Sequence, residues 1–110
     1  MVDNMETLAK STGIADTNLL QGFVNDFFKI CSIDVERILP CIQKGDNEAV
    51  IRHSHNIYGA AHRLSLTEIR QAAGSLYKAA NNMETEKYVA LYEELKNVFQ
   101  TGIEEYKETA

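Results

Sequence analysis

The chain is poor in the residues that break helices: one proline and six glycines in 110 residues. That scarcity argues against a turn-rich all-β fold. Cations are short as well. Eleven Lys and Arg face sixteen Asp and Glu, for a formal net charge of −5, which argues against nucleic acid, where phosphate neutralisation needs a basic patch. No apolar run approaches the roughly 20 residues that span a bilayer. Met1-Val2-Asp3-Asn4-Met5-Glu6 lacks the basic-then-apolar profile of a secretory signal. The two cysteines, Cys31 and Cys41, do not make a disulfide framework. Both fall on the apolar side of a helical pattern and read as buried free thiols, the usage of a reducing cytosol. A cytoplasmic location, with no membrane and no nucleic-acid partner, is the expectation.

What the chain does have is helical periodicity. Its 45% hydrophobic and 25% charged content is ordinary for one globular domain with a modest core. Asp3 can cap a short helix carrying Met5, Leu8 and Ala9, and Ser11-Thr12-Gly13 breaks it. Leu20, Val24, Phe27, Cys31, Val35, Ile38 and Ile42 then recur in steps of three and four, keeping one face on a core for about six turns. Asp16 or Thr17 starts this helix. Pro40 is expected to kink or loosen its last turn, because it removes the hydrogen bond back to Glu36. Lys44-Gly45-Asp46 reads as a stop followed by a new N-cap.

A second long helix is expected over residues 47–64, with Val50, Ser54, Ile57, Ala61 and Leu64 inward. Ser65-Leu66-Thr67-Glu68 has capping-box spacing and opens a third, with Ile69, Ala72, Ala73, Leu76 and Ala80 inward, ended by Asn81-Asn82. Thr85 is positioned to cap a fourth, in which Tyr88, Tyr92, Leu95, Phe99, Ile103 and Tyr106 face in. No alternating run is long enough for a strand, and no repeat or low-complexity linker interrupts the pattern. Four main helices with short connections force neighbours antiparallel. The expected fold is all-α: an up-down four-helix bundle with a short extra N-terminal helix, one domain over residues 1–110 with its core at about 15–107.

All three histidines lie between Arg52 and Leu64. At 100° per residue, Arg52, His55, Gly59 and His62 share one face and Ile57, Ala61 and Leu64 the opposite one. His55 therefore points outward, with a side-chain-free notch one turn above it, while His53 falls on the inward half and reads as structural. No metal site is expected. His53 and His55 point about 160° apart, and His55 and His62 lie about 10.5 Å apart along the axis, whereas helical metal pairs sit at i, i+4. General acid–base catalysis wants a carboxylate partner and a pocket, and a tight bundle face offers neither from sequence.

Two readings of His55 then remain: an exposed histidine without a role, or a phosphoryl carrier. An exposed imidazole is a good nucleophile near neutral pH, and a neighbouring glycine leaves room for a phosphorylated partner to approach in line. Glycine at mid-helix costs about 1 kcal/mol against alanine, so Gly59 has either a steric reason or is simply tolerated.

His55-Asn56-Ile57-Tyr58-Gly59-Ala60-Ala61 resembles the signature of histidine-containing phosphotransfer (HPt) domains, His-x-Leu-Lys-Gly-Ser/Ala-Ala, set on a four-helix bundle. The resemblance extends along the chain. Phe23-Val24-Asn25-Asp26-Phe27 is similar to the Phe-x-x-x-Phe-like core of the family's long first helix, Gly45-Asp46 to the Gly-Asp before the histidine helix, and Leu64-Ser65 to its Leu-Gly. Ile69 and Leu76 fit the next helix. The resemblance implies that His55 is the phosphoacceptor, taking a phosphoryl group from the phosphoaspartate of a response-regulator receiver domain and passing it to another receiver. A hybrid sensor histidine kinase is a further implied partner. Mg²⁺ would come from the receiver's acidic site, so no cofactor is expected of this chain. Such a protein is a monomeric signalling carrier and not an autonomous enzyme.

Two positions depart from the pattern. Tyr58 stands where the family has Lys, and Leu76-Tyr77 where it has Leu-Glu or Leu-Gln. Those groups orient the histidine or offset the phosphoryl charge, so a degenerate HPt-like adapter that binds a receiver or kinase without carrying phosphate is the alternative. Arg52, one turn before His55, is the expected substitute cation, unless it only pairs with Glu48 at i, i+4; His62, and after it Arg63, could assist. Ile51 and Tyr58 flank His55 as either a docking rim for the partner or side chains leaning into the seam with the next helix.

Overall fold

The computed structural model describes residues 4–107. Five helices follow one another: α1 (Asn4–Thr12), α2 (Thr17–Lys44), α3 (Asn47–Arg63), α4 (Thr67–Asn81) and α5 (Tyr88–Tyr106), the last entered through a 3₁₀ turn, Thr85–Lys87. No strand occurs among the described residues. The four long helices pack antiparallel: α3 lies between α2 and α4, α4 meets α5, and α5 closes on α2. The short α1 covers α2 and α5. The expected cap of α1, Asp3, lies outside the described residues.

The predicted stripes face the core, with Ile42, Leu64, Ile103 and Tyr106 at their ends half-buried. Leu20, Val24, Phe27, Cys31, Val35 and Ile38 of α2 meet Ile57, Ala61, Leu76 and Leu95 from α3, α4 and α5 in one core. Phe27, Phe28, Phe99 and Tyr106 add ring contacts between α2 and α5. At one end the helices are clasped by polar groups: Tyr88 Oη donates to Asn47 Oδ1, and Asn47 Nδ2 donates to the Ala80 carbonyl at 3.0 Å.

The helix ends explain where α3 begins and stops. Asp16 caps α2, accepting from the N–H groups of Asn18 and Leu19 at 3.0 and 3.1 Å. Pro40 does not end α2, which runs on to Lys44. Gly45 takes the left-handed conformation, φ 74°, which costs glycine little. Its N–H reaches the Ile42 carbonyl and that of Asp46 reaches Cys41, a Schellman closure. Asp46 then caps α3 by accepting from the Ala49 N–H at 3.2 Å.

Two expected caps are corrected. The capping box at Ser65 does not form. Ser65 itself takes the left-handed position that closes α3, φ 56°, with its N–H on the His62 carbonyl and that of Leu66 on Ala61. The N-cap of α4 is then Leu66, with no side-chain bond. Thr85 likewise caps nothing, since it is the first residue of the 3₁₀ turn. Cys41 is half-buried, unlike Cys31, which is buried; both are free thiols.

Candidate functional site

Helix α3 is amphipathic, and its two faces hold histidine differently. Inward, Ala49, Val50, His53, Ser54, Ile57 and Ala61 are buried. The fully buried Ser54 hydroxyl donates to its own helix, to the Val50 carbonyl at 2.8 Å. His53 is 6% exposed and its Nδ1 lies 2.7 Å from Asp34 Oδ1 on α2. A carboxylate only accepts, so Nδ1–H is the donor. Asn56 Nδ2 donates to the same oxygen at 3.4 Å. His53 is thus a cross-helix tie, as its inward position suggested.

His55 is exposed, and among the described residues neither of its ring nitrogens is hydrogen-bonded to protein. Its ring meets that of Tyr77 of α4, at a centroid distance of 5.0 Å and an interplanar angle of 43°. Such a contact contributes about 0.5–1.5 kcal/mol beyond area burial. It limits imidazole rotation without occupying a nitrogen.

On the other flank, an open groove runs between α3 and α2. His55, Asn56, Gly59, Ala60 and Arg63 line one wall, and Ile30, Cys31 and Asp34 the other. A Cβ placed on Gly59 would meet nothing closer than Arg63 Nη1, at 3.9 Å. The missing side chain therefore leaves space beside His55 that the Arg63 guanidinium borders. Arg52, the expected cation, is exposed. It forms no ion pair with Glu48 among the described residues, and the groove is not lined by it.

Of the remaining predicted neighbours, Tyr58 sits toward α4. Tyr58 is 36% exposed, with its ring against Gly74: a Cβ there would lie 3.1 Å from Tyr58 Cδ1. His62 is exposed, and its ring stacks with that of Tyr58, centroids 6.4 Å apart and planes 10° apart. Ile51 is half-buried and packs on the core. Ile51 therefore leans into the seam, while Tyr58 lies against Gly74 and is still exposed.

Cys31 also lines the groove. Burial, and then the Asp34 charge, push its thiol up to about 11, against the opposing pull of Arg63. It stays protonated and unreactive at neutral pH. Among the described residues no group of three or more His, Cys, Asp or Glu is placed to hold a metal ion, and no helix is long and apolar enough to cross a membrane.

Sequence reasoning missed Asp34 as the partner of His53, the Tyr77 ring against His55 and the reach of Arg63 over Gly59. Two local signals existed. Arg63 follows Gly59 by four residues, one turn on, and Gly74 is a second mid-helix glycine, which asks for a close neighbour. No family model, curated protein or solved structure matches the chain.

Proposed function

We propose that this chain is a histidine phosphotransfer protein, with His55 as phosphoacceptor between two receiver domains. The observation that carries the reading is the state of that imidazole: it is exposed, braced by Tyr77 and, among the described residues, has both nitrogens unpaired, within a motif that resembles the HPt signature. The unprotonated ring nitrogen attacks phosphorus of the receiver's phosphoaspartate. The N–P bond forms as the P–O bond to the aspartate breaks, with the bonding pair leaving on the carboxylate. The reverse step delivers the group to a second receiver. Mg²⁺ belongs to the receiver in this scheme.

The groove supports this role in two ways. Gly59 leaves room for the incoming phosphoryl group, and Arg63 supplies a cation on the same side. A cation about 4 Å from phosphoryl oxygen is worth roughly 1–4 kcal/mol between water and a half-exposed surface. Incubation with a phosphorylated receiver should transfer acid-labile, base-stable label to the wild type and none to His55→Gln. Equal labelling of the two removes His55 from the role. The second reading, an adapter that binds a receiver or kinase without carrying phosphate, is favoured by Tyr58, whose ring fills the seam where the family pattern has Lys. Receiver binding that survives with no label on any histidine selects it.

A further inference from the structure

Helix α2 carries two apolar stripes, and the bundle uses one. Leu19, Phe23, Ile30 and Ile33 are 52%, 43%, 61% and 48% exposed. With the exposed Asp26 and Arg37 they step along the helix by 4-3-4-3-4, the spacing of a coiled-coil seam, within a sector of about 80°. Asp26, Lys29, Glu36 and Arg37 are exposed and form no ion pair among the described residues.

The order of these residues is self-complementary. We propose that the outer stripe of α2 is covered by a second copy of this chain, α2 against α2, antiparallel about a two-fold axis between Cys31 and Ser32. In that register Ile30 faces Ile33 of the second copy and Ile33 its Ile30. Asp26 faces Arg37 at both ends of this apolar centre, and Lys29 flanks Glu36 of the second copy. Phe23 meets Pro40, and Leu19 lies against the stem of Lys44. A two-fold contact uses one patch twice, so every charge must find its opposite within the same stripe. This stripe satisfies that condition. Parallel pairing would set Asp26 on Asp26 and Arg37 on Arg37, which the like charges disfavour.

Four large apolar side chains per copy make a small interface, below the about 800 Å² per partner of a standard one. The dimer is therefore weak and concentration-dependent, in place of the monomer expected from sequence. Ile30, at the centre of this contact, also lines the groove beside His55, so the dimer borders the candidate site; its association is nevertheless read by sedimentation, with no reference to phosphotransfer.

Sedimentation velocity of the full chain over a hundredfold concentration range tests it. Wild type should shift from monomer toward dimer as concentration rises. Arg37→Glu sets a like-charge pair at each end, so it should weaken association by more than about tenfold. The double exchange Asp26→Arg with Arg37→Asp should restore it. Both sites are solvent-exposed, so the helical signal in circular dichroism stays at the wild-type level. Three results overturn the proposal: wild type monomeric throughout, as it would be if a different protein covered the stripe; Arg37→Glu associating like wild type; or a double exchange that remains monomeric.

Discussion

His53 and His55 stand two residues apart on one helix and live in different solvents. His53 is buried, and its Nδ1–H is held by Asp34 across the α2–α3 seam. His55 is exposed, with the Tyr77 ring 5.0 Å from its own and, among the described residues, no hydrogen bond on either nitrogen. Helical rotation alone sets this difference: about 160° separates the two side chains, enough to put one into the core and the other into water. A histidine whose donor is committed to a carboxylate is a structural tie. One whose nitrogens are both unpaired is available as a nucleophile.

Stability should separate the two faces most sharply. Ile57→Ala, at a fully buried position beneath the histidines, should cost about 2–5 kcal/mol by urea unfolding. Next comes the groove's buried thiol. Cys31 has its folded pKa raised to about 11, so the folded state holds its proton more tightly than the unfolded chain does. That stability is fully present below the ordinary thiol pKa and is lost as pH rises toward 11, by at most roughly 3 kcal/mol. Unfolding curves from pH 8 upward should show the fall, and Cys31→Ala should flatten it, leaving the smaller contributions of Tyr88 and Tyr106, whose raised pKa values act in the same direction.

Asp34→Ala deprives His53 and Asn56 of their acceptor and should cost about 1–3 kcal/mol, with label transfer still directed to His55. Arg63→Gln should leave stability nearly unchanged but slow acceptance, or shorten phosphohistidine lifetime, by about tenfold. Arg52→Gln, outside the groove, should do neither. If Arg52→Gln has the larger effect, the placing of the cation at Arg63 is wrong. The smallest stability change belongs to His55→Gln, within about 0.5 kcal/mol of wild type. A loss comparable to that of Asp34→Ala would break the contrast between the two histidines.

The architecture was legible because helical signals are local. The steps of three and four on α2 located its buried face, Asp16 and Gly45-Asp46 marked helix ends, and Asn81-Asn82 closed α4. What escaped depended on non-glycine backbone or on how helices rotate against one another. Ser65 and Met83 adopt left-handed conformations, φ 56° each, which a capping-box reading of Ser65 could not anticipate. The tie from His53 to Asp34 spans 19 positions, and the Tyr58–Gly74 and His55–Tyr77 contacts depend on the α3–α4 register. For the candidate site, the wheel separated His55 from His53 but assigned the cation to the residue with the right angle, Arg52. The long Arg63 side chain, bordering a bare glycine, lines the groove beside His55, and Arg52 does not.

The most direct measurement removes the partner altogether. The folded protein is treated with phosphoramidate, a small phosphoryl donor, digested under basic conditions, and the modified histidine located by tandem mass spectrometry. The account predicts phosphate on His55, with His53 unmodified until the protein is unfolded. Phosphate on His53 or His62 in the folded protein, or spread evenly over all three, would contradict it.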